Sequence, residues 1–113
     1  MNPGVGAGQL FENFVLAEFE KRRKLGLIKA DQLYYYKSAG GNEIDLIFEV
    51  DDTVYAIEIK SSSKPSPRDL HSLREFGDRL NRPIRRYLVY RGDQYQTIDN
   101  IQLLPAAAIF RGQ

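Results

Sequence analysis

"GNEIDLIFEVDDTVYAIEIKSS", residues 41–62, places charged side chains within a segment that is otherwise rich in large apolar and β-branched residues. Two runs of strand-forming residues flank Asp51 and Asp52, and this pattern predicts a β-hairpin with the two aspartates at its tip. In that register Asp45 lies directly opposite Glu58. The hairpin therefore pairs two like charges in the segment that is best suited to form the core.

Strand alternation assigns the hairpin side chains to two faces. The apolar face comprises Ile44, Leu46, Phe48, Tyr55, Ile57 and Ile59, and the charged face carries Glu43, Asp45, Glu58 and Lys60. Opposite residues have Cβ atoms about 5 Å apart, so two facing carboxylates repel each other. A divalent cation would remove the repulsion, because Mg²⁺ binds two carboxylates and water well. The alternative is a solvated face on which Glu43 pairs with Lys60.

Composition limits the chemistry that such a site can use. The 113 residues suffice for one domain, and they include no cysteine and a single histidine. Disulfides, thiolate metal sites and histidine-rich metal sites are therefore excluded, which leaves carboxylates and hard cations such as Mg²⁺ or Mn²⁺. The net charge of +1 neither indicates nor excludes a nucleic-acid partner.

The chain shows no sign of a membrane or export segment. Its beginning lacks the charged start and apolar run of a signal peptide, and no apolar run approaches the roughly 18 residues that span a bilayer. We therefore expect a cytoplasmic protein with no membrane partner. The glycine-rich residues 1–8 are expected to form a flexible lead-in.

The remaining pattern predicts the order α-β-β-β-α-β-β. The expected elements are a helix over 9–25, strands over 33–38, 43–50 and 53–60, a helix over 68–80, strands over 84–91 and 95–105, and a terminal turn or helix over 106–110. Ser66 is the expected N-cap of the second helix, with Pro67 at its first position. On the first helix, Glu12 lies within the apolar arc, either at the rim of the core or directed at a positive group.

Asp45 is followed thirteen residues later by an E-x-K motif across the predicted hairpin, and a helix with a glutamate precedes both. This arrangement resembles the PD-(D/E)XK nuclease superfamily. The matching residues are Asp45, Glu58, Lys60 and Glu12, while Ile44 stands where the superfamily name has proline. The chain more narrowly resembles the nuclease-like C-terminal domain of many prokaryotic AAA-type ATPases. That resemblance rests on G-x-LFENFVLAE (8–18), GNEIDLIFE (41–49), YAIEIKSS (55–62) and LLPAAAI (103–109).

The resemblance implies an α/β fold with a restriction-endonuclease-like core, αβββαβ order and a central mixed sheet of four to five strands flanked by helices. Residues 9–113 would form this domain as the C-terminal part of a longer ATPase, since the phosphate-binding motif G-x-x-x-x-G-K-[ST] is absent from the sequence. The ATPase domain of the parent chain would then be a partner. A homodimer is a further expectation, because many nucleases of this fold dimerise.

The resemblance also implies roles in Mg²⁺- or Mn²⁺-dependent phosphodiester hydrolysis. Asp45 and Glu58 would hold the ion together with the backbone carbonyl of Ile59, and Glu12 would act through a water molecule or bind a second ion. Lys60 would position and help deprotonate the attacking water, or neutralise charge in the transition state.

A nucleic-acid partner, DNA in the first instance, requires cations near this face. Lys37 and Ser38 at the end of the first strand and Lys64 and Arg68 after the E-x-K motif are the candidates, against the alternative of solvated surface residues. The tyrosines at 34–36 suit base stacking, but strand packing is the expected role. Two further interpretations stay open. One is a non-catalytic binding or regulatory module of the ATPase, and the other is a structural dimerisation unit.

Overall fold

The structure, a computed structural model, describes residues 6–78 and 80–111. It contains helices α1 (Ala7–Lys24), α2 (Pro67–Phe76) and α3 (Ala106–Arg111) and strands β1 (Tyr34–Lys37), β2 (Glu43–Val50), β3 (Thr53–Ile59), β4 (Ile84–Tyr90), β5 (Gln96–Ile98) and β6 (Ile101–Pro105). Within the described ranges, none of these helices has the length and apolar character needed to cross a membrane.

The predicted lead-in 1–8 is only partly covered by the structure. Residues 1–5 lie outside the described residues, while Ala7 and Gly8 already belong to α1. The first helix thus begins two residues before the predicted start at residue 9. Gly6 is its N-cap and makes no side-chain capping hydrogen bond, which is why no capping signal marks this start in the sequence.

The hairpin register predicted from the sequence is confirmed over most of its length. Strands β2 and β3 are antiparallel, with pairs running from Val50 and Thr53 to Leu46 and Ile57. At the tip, Asp51 has a φ of 55°, in the left-handed region that aspartate tolerates better than most residues.

The sheet is mixed, as predicted, but it has six strands rather than four to five. Their order is β1-β2-β3-β4-β6-β5, with β3, β4 and β6 mutually parallel and the other neighbours antiparallel. The extra strand arises because the predicted strand over 95–105 is a hairpin. Asp99 and Asn100 form its turn with φ values of 50° and 66°, as a two-residue turn between twisted strands requires.

The second helix has the predicted start and an earlier end. Ser66 caps it and Pro67 occupies its first position, but the helix stops at Phe76 rather than at residue 80. The Arg86 side chain donates to the Leu73 carbonyl at 2.7 Å, a group that would accept from residue 77 in a continuing helix. A Cβ at Gly77 would overlap the side-chain ends of Arg86 and Ile84, so a larger residue there would require these side chains to move.

Helices cover both faces of the sheet, so that both sides of the hairpin are buried. The core under α2 comprises Ile44, Ile47, Val54, Ala56, Leu70, Leu73, Leu88, Tyr90, Ile101 and Leu103. The core under α1 and α3 comprises Val15, Leu46, Phe48, Ile57, Ile59, Val89 and Ala106. On the charged side of the hairpin, Glu58 is buried and Asp45 and Lys60 are half-buried, whereas Glu43 is exposed.

A β-bulge in β2 changes the predicted division of its side chains. Tyr36 pairs with Ile44 and Tyr34 with Ile47, so that two residues of β2 face the single intervening residue of β1. Such a bulge shifts the alternation of faces by one residue. Ile44 consequently packs under α2 rather than with Leu46, and the prediction that these two share a face is wrong.

Candidate active site

The predicted acid pair lies where β2 separates from β3. The backbone pairing ends at Leu46 and Ile57, and side chains take over beyond that point. The Ile59 N–H donates to Asp45 Oδ2 at 2.8 Å, and the Asp45 N–H donates to Glu58 Oε1 at 3.3 Å. Since the bulge opens the strand at this position, the aspartate carboxylate takes the place of a backbone acceptor for β3.

Glu58 is the more deeply buried residue of the acid pair. Its residue surface is only 5 % exposed, because α2 covers this side of the sheet. Burial raises the pKa of Glu58, and the hydrogen bond and negative charge of Asp45 raise it further, to about 9. Two carboxyl groups in contact, one buried and the other half-buried, share a proton more easily than they both ionise.

Lys60 adjoins the acid pair but is held by a third acid. Its ammonium Nζ lies 3.2 Å from Asp69 Oδ1, and the Asp69 side chain is 9 % exposed. Burial lowers the pKa of Lys60, but the negative charges of Asp69, Glu58 and Asp45 outweigh it, so that the pKa rises. The predicted pairing of Lys60 with Glu43 is wrong, because Glu43 instead lies 3.7 Å from the Lys37 amine.

Asp69 links this lysine to the start of α2. Its Oδ2 accepts from the Ser66 N–H at 2.9 Å, while its own N–H donates to Ser66 Oγ at 3.4 Å, which completes a capping box. Asp69 is a site residue that was not among those predicted. The serine and the acid three residues later were the available signal, since that spacing marks a capping box.

A cleft of about 450 Å³ opens at Glu58 between the 40–43 loop and α2. Its charged walls are Glu43, Glu58, Lys60, Arg68, Asp69 and His71. The site lies at the carboxyl end of parallel strand β3, where crevices of α/β sheets commonly bind ligands. His71 lies at this rim, with its Nε2 3.4 Å from Glu75 Oε1.

Glu12 projects from α1 toward the same cluster. Partial burial raises the pKa of Glu12, the charges of Asp45 and Glu43 raise it further, and the charge of Lys60 lowers it. Helix α1 thus brings a third acid into electrostatic contact with Asp45. Among residues 6–78 and 80–111, however, no three acidic or histidine side chains are arranged to hold a metal ion together.

The candidate nucleic-acid residues separate into two groups. Arg68 lines the cleft and Lys64 is exposed in the loop before α2, so both face solvent near the acid pair. Lys37 is exposed but paired with Glu43, and the Ser38 hydroxyl accepts from the Asn42 N–H at 3.0 Å. Ser38 therefore closes the 38–42 turn.

The donor set suits a hard cation. Asp45 and Glu58 provide two adjacent carboxylates, and Mg²⁺ in proteins commonly takes one or two carboxylates with water in its remaining positions. Neutralising both acids requires a positive charge beyond Lys60, which Asp69 already engages. Ile59 adjoins the pair, but the contact observed there is made by its N–H. Its carbonyl as a ligand stays a prediction.

Comparison with known proteins identifies the family. A family model described as "Domain of unknown function (DUF4143)" matches residues 7–109. No curated protein matches the sequence. The match spans nearly all of the chain, including every predicted site residue, and the chain belongs to this family of domains of unknown function.

Proposed function

We propose that this domain is a Mg²⁺-dependent nuclease, or a nuclease-derived DNA-processing domain, with a restriction-endonuclease-like core. One observation carries the proposal: Asp45 contacts the buried Glu58, and Glu58 and Lys60 line an open cleft. Two acids and one ammonium group at such a point match what phosphodiester hydrolysis needs, a cation site and a further positive charge for the transition state.

In the proposed hydrolysis, Asp45, Glu58, Lys60 and Glu12 have different roles. Asp45 and Glu58 would hold the Mg²⁺ ion, which when bound lowers the pKa of water and offsets negative charge on the phosphate. Lys60 would stabilise the negative charge that develops on the phosphate rather than accept a proton, because its ammonium is paired with Asp69. Glu12 would act through an intervening water, since it interacts electrostatically with Asp45 and Lys60 from α1.

The substrate would enter along the cleft. Arg68 lies at the first turn of α2 on the cleft wall, and Lys64 lies in the exposed loop before it. Both would contact phosphates, which favour arginine and lysine irrespective of base sequence. An ATPase domain in a longer parent chain, a cytoplasmic location and a homodimer remain predictions from the resemblance.

The first test measures metal binding. Calorimetric titration with Mg²⁺ and Mn²⁺ compares the wild type, Asp45→Asn and Asp51→Asn. The last variant removes the same charge at the other end of the hairpin, where asparagine suits the positive φ. We expect the wild type and Asp51→Asn to bind equally, and Asp45→Asn to lose binding. A wild type that binds neither ion would refute the metal site.

The second test measures cleavage. The same three proteins are incubated with supercoiled plasmid and with single-stranded oligonucleotides, with Mg²⁺ or with chelator. Metal-dependent nicking or shortening that Asp45→Asn abolishes and Asp51→Asn retains is the expected outcome. Metal binding without cleavage of any substrate would reject the catalytic proposal.

The alternative is a non-catalytic module that retains the nuclease fold, and the charge pairing favours it. Lys60 and Lys37, two of the cations that a nuclease would use, are already paired with Asp69 and Glu43. Positive charge near the site is therefore partly neutralised by acidic side chains of the same chain. This alternative predicts metal binding without hydrolysis, and that result would reject the proposed catalytic activity.

A further inference from the structure

Tyr35 is an exposed aromatic residue beside the acid pair. It lies on the edge strand β1 and is 59 % exposed. The β2 bulge places Asp45 and Leu46 opposite it, because the flanking pairs are Tyr36 with Ile44 and Tyr34 with Ile47. An aromatic ring in water next to a candidate active site lacks a packing explanation.

The three consecutive tyrosines have different surroundings. Tyr36 packs edge-on against Phe76, with ring centroids 5.1 Å apart, on the α2 side of the sheet. Tyr35 and Lys37 project to the opposite face by strand alternation. The expected role in strand packing therefore holds for Tyr36, whereas Tyr35 stays at the surface.

Glu43 fixes both the tyrosine and the lysine of this face. Partial burial raises the pKa of Tyr35, the charge of Glu43 and a hydrogen bond to it add to the rise, and Asp45 and Glu58 contribute further. The Lys37 amine lies 3.7 Å from the same glutamate. The ring and the cation are thus held side by side, within electrostatic reach of the acid pair.

The charge around the site argues against close approach by a double helix. Four cations lie near it, Lys37, Lys60, Lys64 and Arg68, and two of them, Lys37 and Lys60, are already paired with Glu43 and Asp69. Duplex DNA has a higher phosphate charge density than a single strand and depends more on cations. Single-strand binding draws instead on aromatic stacking, which is sequence-tolerant.

We propose that the site takes an unpaired nucleic-acid strand, with one base stacked on the Tyr35 ring and the adjoining phosphate near Lys37. The proposal rests on the function proposed above and narrows its substrate class. Stacking would hold the strand at the edge of the sheet, so that the next phosphate reaches the acid pair. A bound divalent cation would strengthen strand binding by adding positive charge next to the phosphate.

Fluorescence anisotropy with labelled oligonucleotides tests this inference. Single-stranded DNA, single-stranded RNA and a blunt DNA duplex, each with phosphorothioate linkages to slow hydrolysis, are titrated with the full chain in Mg²⁺. The variants are Tyr35→Ala, Tyr35→Phe and Tyr95→Ala. Tyr95 is the matched control, because it is 67 % exposed and lies next to β5 at the other edge of the sheet.

We expect single strands to bind more tightly than the duplex, and Tyr35→Ala to weaken single-strand binding by about 5-fold or more. Tyr35→Phe keeps the ring and retains most of the affinity, and Tyr95→Ala matches the wild type. Unfolding midpoints of all variants are compared. If Tyr35→Ala unfolds, Tyr35→Leu, which keeps bulk but not the aromatic face, replaces it.

The inference and the proposed nuclease function fail in different ways. If the wild type binds Mg²⁺ and cleaves plasmid but Tyr35→Ala binds single strands normally, or the duplex binds as well as the strand, only the single-strand inference is overturned. If the wild type binds no Mg²⁺ and no nucleic acid, both the nuclease proposal and the single-strand inference are refuted.

Discussion

The two ends of the β2–β3 hairpin carry similar acids in opposite electrostatic settings. At the turn, Glu49 receives two hydrogen bonds from Arg82, at 2.9 and 3.0 Å, and both side chains contact water. At the open end, Asp45 and Glu58 contact each other, and the nearest base, Lys60, is engaged by a further acid. One end is neutralised by a dedicated partner and the other is not.

The acids at the two ends of the hairpin also differ in solvent exposure. The Glu49 side chain is 52 % exposed, whereas Glu58 is 5 % exposed under α2. A carboxylate in water needs no partner, but a buried pair needs a proton or a cation between its members. The same residue types are therefore compensated by an arginine at the turn, whereas at the open end Glu58 is held beside Asp45 with a raised pKa.

The largest expected effect comes from replacing Glu58 by glutamine without metal. The folded protein keeps the Glu58 proton up to about pH 9, while the unfolded chain loses it near 4.5. Between these values the folded state binds more protons, so the free energy of unfolding falls as pH rises. Glu58→Gln avoids this loss and should raise the free energy of unfolding by a few kcal/mol near pH 8.

Chemical denaturation in chelator, at pH values on both sides of 4.5, measures the Glu58→Gln effect. The difference from the wild type should be small below this value and should grow with pH. A glutamine variant that is less stable than the wild type at pH 8 would contradict this expectation, because it would mean that Glu58 is ionised in the folded protein.

A smaller effect is expected at Asp69. Asp69→Ala removes both the Ser66 contact and the Lys60 pairing and should cost roughly 2 kcal/mol of folding stability. Asp69→Asn keeps a side-chain acceptor for the Ser66 N–H, so it should cost about half as much. Ser66→Ala isolates the helix cap, at about 1 kcal/mol. Equal losses for Asp69→Ala and Ser66→Ala in urea unfolding would show that the Lys60 pairing contributes no stability.

The smallest effect is expected at the turn. A hydrogen bond from Arg82 lowers the pKa of Glu49, so this contact stabilises the fold above the ordinary glutamate value and is lost as pH falls through the lowered one. Glu49→Gln should therefore reduce stability slightly near pH 7, opposite in sign to Glu58→Gln, because exposed ion pairs contribute little. Its thermal midpoint should approach that of the wild type in high salt. A large, salt-insensitive loss would contradict this assignment.

The residues themselves predicted the parts of the site that depend on local pattern. The hairpin register follows from alternating apolar residues around Asp51 and Asp52, and it was enough to bring Asp45 and Glu58 together. Ser66 and Pro67 gave the start of α2 for the same reason. These features depend on neighbours in sequence, on strand pairing across a short turn and on helix capping, all of which a single chain segment specifies.

Other features required contacts between distant segments. The bulge that moves Ile44 to the α2 core depends on pairing with β1, and the early end of α2 depends on Arg86 from β4. The pairing of Lys60 with Asp69 and the exposure of Tyr35 depend on how α2 and the edge strand pack. Sequence by itself thus determined which charges meet at the hairpin. Only the tertiary structure decided which of them are buried, paired or open to a ligand, because burial is set by what covers a residue and not by its own strand.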